Sequence, residues 1–210
     1  MPRLKPIIWA SAILTLGATA AVSAAGDIER GRQQAAQTCV ACHGLDGAGQ
    51  AAAKFPRLDS LDVGYLTKQL QDLKSGARKN VIMQPFAANL TDQQIADVAA
   101  YYAAQTATVA SPAATDPALM SLGEKLATRG DWDRHLPACK SCHGPDNQGF
   151  GKDFPALAGQ HASYIEAQLL AWRNGTRGND PLNLMLAIAE RMTDTDIKAA
   201  AAYLAAQPAK

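Results

Sequence analysis

The sequence predicts an all-α fold made of two similar domains in tandem. Three observations carry this reading. A set of short sequence elements occurs twice in the same order. Helical periodicity runs through both copies, and no segment shows the convincing two-residue alternation of a half-buried strand.

The repeated elements come first. Cys39-Val40-Ala41-Cys42-His43-Gly44 returns as Cys139-Lys140-Ser141-Cys142-His143-Gly144. Phe55-Pro56-Arg57-Leu58 returns as Phe154-Pro155-Ala156-Leu157, and Gly76-Ala77-Arg78 as Gly175-Thr176-Arg177. Tyr65 and Gln69-Leu70 match Tyr164 and Gln168-Leu169, while Thr91-Asp92 matches Thr193-Asp194. The order never changes, so a whole domain is duplicated rather than a short solenoid unit. The 210 residues suit two domains of about 90 residues each.

Helices follow from spacing and caps. Val63, Leu66, Leu70 and Leu73 share one face of a helix over Asp62 to Ser75, and Gly76 stops it. Tyr164, Ile165, Gln168, Leu169 and Trp172 repeat the pattern before Gly175. The last helix of each copy opens on a capping box, Thr91 with Gln94, and its close variant, Thr193 with Asp196. Between the copies, Pro112 and Pro117 punctuate a stretch without apolar periodicity.

The N-terminus reads as an export signal: Arg3 and Lys5, an uncharged run from Ile7 to Val22, then small residues to Ala25. That run is shorter than the roughly 20 residues of a spanning helix, so cleavage is expected over an uncleaved membrane anchor. The expected division is signal 1–25, first domain 26–105, linker 106–117 and second domain 118–210. Charge is nearly balanced, 20 Lys+Arg against 19 Asp+Glu, with no basic stripe for a nucleic acid. Few large side chains fill domains of this size, so each needs a staple.

The cysteines name the staple. Cys-x-x-Cys-His is the attachment signature of c-type haem. Two thiols at this spacing form thioethers to the two vinyl groups, and the next residue turns its imidazole to the iron. Cys39 and Cys42 should therefore hold one haem with His43 as ligand, and Cys139 and Cys142 a second with His143. Disulfides, redox dithiols and a zinc site are the competing readings. A redox pair leaves the two histidines unexplained, and the zinc reading needs all four cysteines together. Two matching pentapeptides behind an export signal favour two covalently bound haem c groups.

The opposite iron ligand follows from the repeat. Met83 lies eight residues before Thr91, and Met185 eight before Thr193, each on the loop ahead of the last helix. These are the expected distal ligands. Met192 aligns with Leu90 and reads as core, and Met120 has no counterpart. His135 sits too close to Cys139, and His161 aligns with Asp62, so both read as ordinary polar residues.

These motifs together resemble the dihaem cytochrome c4 family, two class-I-like cytochrome c domains in tandem. The resemblance spans nearly all of the chain after the signal. It implies a periplasmic electron carrier whose partners are redox proteins, a membrane oxidase, a reductase or a dehydrogenase. It also implies that the carbonyls of Pro56 and Pro155 accept hydrogen bonds from His43 and His143, and that the haem edges lie near the domain interface. Membrane association would come through such a partner or the uncleaved signal. The second copy departs from the first by inserting Arg129 to His135 and by lengthening the loop from Asn179 to Leu184.

Three functional readings compete. A His/Met-ligated iron has no open position, which favours a carrier over a dihaem enzyme such as a peroxidase. A cytochrome subunit of a larger respiratory or dehydrogenase complex is the alternative. Whole-domain charge does not select partners: residues 26–110 hold eight basic and eight acidic side chains, residues 111–210 ten and eleven. Local patches must do so, such as one built around Trp132.

Overall fold

The computed structural model describes Met1, residues 25–107 and residues 116–209. The export signal, apart from its two ends, and the greater part of the linker lie outside the described residues. In the first repeat, α1 (Ile28–Thr38) runs straight into the short α2 (Val40–His43). Then come α3 (Val63–Ser75), α4 (Met83–Ala88) and α5 (Asp92–Ala103). The second repeat gives α6 (Pro117–Thr128), α7 (Lys140–His143), α8 (Ala162–Arg173), α9 (Leu184–Ala189) and α10 (Asp194–Ala205). Among the described residues only isolated β-bridges occur, and no helix is long and apolar enough to cross a membrane.

The stop at Gly76 and the two capping boxes behave as the sequence leads one to expect, while Asp62 proves to be the cap of α3 and not its first residue. Asp62 accepts from the Tyr65 N–H at the start of α3, and Gly76 ends that helix at φ 82°. Both capping boxes are formed in full. Two further details differ from the sequence reading. Met83 and Met185 lie on short helices, not loops, because six-residue helices are too brief to show periodicity. Pro85 does not break α4, since its missing N–H falls in the first turn, where no intrahelical partner exists. Pro117, placed at the end of the linker, is the first residue of α6, with Asp116 as its cap.

Each repeat closes by crossing its first helix over its last. Gly31 of α1 lies against α5, where an added Cβ would come 2.0 Å from the Asp97 carbonyl oxygen. Gly123 of α6 meets α10 in the same way, 2.1 Å from the Ala199 carbonyl oxygen. Only a residue without a side chain lets the two backbones approach this closely. The cores lie beside these crossings. One holds Ala35, Leu66, Val98 and Tyr102; the other holds Leu126, Leu169, Met192, Ile197 and Leu204. The inserted segment of the second repeat forms a tight loop closed by the Asp131–Leu136 bridge and tied to α10 by Arg134 on Asp196, 2.7 Å. It leaves Trp132 68% exposed.

The same faces of both repeats meet. Arg78 donates to Gln69 of its own repeat (2.9 Å) and to Gln168 of the other (3.0 Å). Arg177 mirrors it, donating to Gln168 (2.7 Å) and Gln69 (3.2 Å). Both arginines are buried, so these bonds replace water rather than compete with it. Arg78 also donates to the Tyr164 hydroxyl, and Asn179 donates to Asp72 across the junction.

Helix crossing yields the first prediction. Gly31→Val and Gly123→Val should each destabilise the holoprotein by about 1–3 kcal/mol through overpacking. Denaturant melts measure this; unchanged midpoints would show that the close approach of first and last helix does not stabilise each repeat.

Candidate haem sites

Each site begins on a single helical turn, reached directly from α1 in the first repeat and through the inserted loop after α6 in the second. In the first repeat the amides of Cys42 and His43 both donate to the Cys39 carbonyl, at 3.2 and 3.0 Å. In the second, Cys142 and His143 do the same to Cys139, at 3.2 and 2.9 Å. That turn sets the two thiols and the imidazole along one short stretch of backbone. Gly44 and Gly144, at φ 73° and 80°, then turn the chain away.

The chain comes back carrying the Phe-Pro pair. Bridges between Gln50 and Phe55, and between Phe150 and Phe154, fix its return. His43 Nδ1 lies 3.0 Å from the Pro56 carbonyl oxygen, and His143 Nδ1 lies 2.7 Å from that of Pro155. A carbonyl only accepts, so Nδ1 carries the proton and Nε2 keeps its lone pair. Burial lowers both imidazole pKa values and so favours the neutral form. His43 Nε2 is buried with no hydrogen-bond partner among the described residues. An oriented neutral imidazole with a bare, buried lone pair fits an iron ligand.

The first thiol of each pair does not have the electrostatics of a reactive redox thiol. Burial pushes the Cys39 thiol up and the Cys139 thiol up to about 11. Reactive thiols are shifted the other way. Covalent attachment fits these positions better than disulfide exchange.

Met83 opens α4, and its N–H donates to Asn80 Oδ1 at 2.8 Å. Met185 lies one residue inside α9, and its N–H donates to Asp180 Oδ2 at 2.7 Å. Both methionines are half-buried at matching places in the two repeats. Met192 is part of the second core, and Met120 is partly exposed on α6. His135 is an exposed residue at φ 55°, and the His161 ring faces the Ala48 carbonyl of the other repeat at 2.9 Å.

Several contributors were not singled out from sequence. Tyr101 and Tyr102 hydroxyls donate to the Leu45 and Gly44 carbonyls, fixing the chain just after His43. The counterpart of Tyr102 is Leu204, so that tie belongs to the first repeat alone. The repeated glutamines and arginines were visible as motifs, but their meeting across the junction was not.

Two helical repeats, each presenting Cys-x-x-Cys-His with its histidine held by a proline carbonyl, define a c-type cytochrome with two haem sites. The cytochrome c family profile matches residues 28–104 and 121–207. The "Thiosulfate dehydrogenase electron acceptor" of Stutzerimonas stutzeri (strain A1501) is 46% identical over 207 residues, covering 96% of each chain. Reduced recombinant cytochrome c4 from Pseudomonas stutzeri is 40% identical with a TM-score of 0.79, covering 88% of this chain and all of its own. A thiosulfate dehydrogenase structure from Marichromatium purpuratum is 41% identical with a TM-score of 0.80; the match covers 86% of this chain and 40% of that one. The chain belongs to the dihaem cytochrome c4 family. It is an electron carrier with two covalently bound haem c groups, linked to a dehydrogenase or an oxidase.

The denatured holoprotein should therefore weigh as the polypeptide plus two haems. Replacing Cys139 and Cys142 together by alanine should remove one haem and leave the other. Haem that leaves the natural chain into acidified solvent would contradict covalent attachment.

Proposed function

We propose that this chain is a periplasmic acceptor of electrons from a thiosulfate-oxidising dehydrogenase. The observation that carries the proposal is its 46% identity, over 96% of both chains, to a protein named as such an acceptor. Cytochrome c4 proteins with comparable coverage reach 40–42%. A dehydrogenation gives up electrons in pairs, and two one-electron sites in one chain suit that stoichiometry. The basic, apolar, small-residue order of residues 1–25 supports export with cleavage, followed by domains at 26–105 and 118–210.

Cys39 and Cys42 would attach the first haem, and His43 and Met83 would hold its iron. Cys139 and Cys142 would attach the second, and His143 and Met185 would hold its iron. When bound, each haem supplies an iron that cycles between ferric and ferrous states. The protein's part is to hold its ligands still and control their basicity. Pro56 and Pro155 keep the Nδ1 protons in place, which leaves Nε2 of each histidine as the nitrogen that would hold an iron. Arg78 and Arg177 bring positive charge that Gln69 and Gln168 cannot neutralise, while Asp72 is already engaged by Lys68 and Asn179. That surplus suits the propionate carboxylates of the two haems. A histidine and a methionine on each iron would leave no position open to peroxide or another substrate, which supports a carrier over an enzyme.

Met83→Ala and Met185→Ala should each remove about half of the near-infrared iron–thioether band of the oxidised protein, because each site contributes one such bond. Met192→Ala should leave it intact. If Met192→Ala and not Met185→Ala abolishes half the band, the second ligand is misassigned.

For the partner, a thiosulfate-fed dehydrogenase of this kind should reduce both haems. A single-haem cytochrome of similar potential should be reduced more slowly. Equal rates would remove the case for a dedicated acceptor.

A further inference from the structure

The two proximal histidines look alike from within their own repeats. The peptide groups that hold them do not. The carbonyl that accepts from His43 belongs to the Pro56–Arg57 peptide, and the N–H of that same peptide donates to Gln160 Oε1, 2.9 Å away in the other repeat. Gln160 Nε2 donates in turn to the Arg57 carbonyl at 3.0 Å. The His161 N–H also donates to Gln160 Oε1, at 3.0 Å. Backbone N–H groups only donate and carbonyls only accept, so the orientation of the Gln160 amide is fixed.

The second repeat has no such link. Its Pro155 carbonyl accepts from His143, but among the described residues nothing accepts from the Ala156 N–H. The residue aligned with Gln160 is Leu61, whose side chain has no polar atom to offer. Leu61, Ala156 and Gln160 line one small cavity between the repeats, so the difference lies in chemistry and not in position.

We infer that Gln160 of the second repeat tunes the first repeat's haem, lowering its reduction potential through the Pro56–Arg57 peptide. The inference rests on the assignment of His43 as an iron ligand. A peptide whose N–H is engaged carries more negative charge on its oxygen, since hydrogen bonds in a chain polarise one another. The Pro56 oxygen then accepts more strongly from Nδ1–H, and Nε2 becomes a more electron-rich ligand. An electron-rich ligand stabilises ferric over ferrous iron. Gln160 is neutral and Arg57 is held by Asp59, with Nη2 at 2.9 Å, and by the Gly159 carbonyl. The effect of Gln160 therefore travels through bond polarisation and not through a new charge. Gln160 is a positioning residue, and it makes the first haem sensitive to whether the repeats are docked.

The test is a potentiometric titration of the holoprotein, with each haem followed by its own paramagnetically shifted methyl signals. Gln160→Leu should raise the first haem's potential and leave the second unchanged. The equilibrium between its oxidised and reduced forms should shift by about two- to fourfold toward reduced, the scale of one polarised bond in a chain. Leu61→Gln should supply an acceptor for the Ala156 N–H and lower the second haem's potential by a similar factor. It keeps the inference testable if Gln160→Leu folds poorly. His161→Phe removes the contact with Ala48 but leaves the peptide link intact, so it should move neither potential. Potentials unmoved by both Gln160→Leu and Leu61→Gln, or an equal shift in His161→Phe, would overturn the inference. A natural protein without the spectral signature of His/Met ligation would overturn the ligand assignment first, and the inference with it.

Discussion

Arg78 and Arg177 are charged, buried and contributed by opposite repeats to a single junction. A buried guanidinium without partners is costly, so the surrounding residues must supply acceptors. Each arginine takes acceptors from both repeats: Arg78 from Gln69 and, across the junction, from Gln168 and Tyr164; Arg177 from Gln168 and Asn179 and, across it, from Gln69. Separating the repeats would leave four of these groups half-satisfied. The crowding is felt at the groups themselves. Burial and the nearby charge of Arg78 lower the pKa of Arg177; burial would raise that of Tyr164, but the two arginines bring it down. This junction turns two small haem-binding units into one body.

The asymmetries between the copies gather around that body. The first repeat fixes the chain after its histidine with two tyrosine hydroxyls, and the buried Arg57–Asp59 pair stands beside Pro56. The second has Ala156 and Ala158 at the matching places. It has instead the tied loop that exposes Trp132, and an Asp180 that binds both the Trp172 ring nitrogen and the Met185 amide. Two haems in such different surroundings need not share a potential, and a carrier with two partners has a use for the difference.

The candidate attachment and ligand residues stand out in sequence because covalent and metal chemistry demands fixed residue types at fixed spacing. Cys39, Cys42, His43 and their counterparts announce themselves, and duplication turned two ordinary methionines into candidates. Capping chemistry exposed the starts of α5 and α10 just as directly, and apolar periodicity placed α3. The helices α4 and α9 were not legible, being shorter than two full turns. The crossings at Gly31 and Gly123 were hidden for another reason. The insertion of Arg129 to His135 places Gly123 twice as far from its haem motif as Gly31 is from the first, so the pair does not align by spacing. Gln160 was invisible because its role depends on a peptide 103 residues away. A sequence shows that a polar residue is present, not which amide it meets.

The central claim is that the two repeats form one cooperative unit through a buried polar junction. Equilibrium denaturant unfolding of the holoprotein, followed separately at each haem's own methyl signals, tests it most directly. The account predicts that both sets of signals disappear at one common midpoint. Two separate midpoints, with one haem domain still native while the other has unfolded, would contradict it.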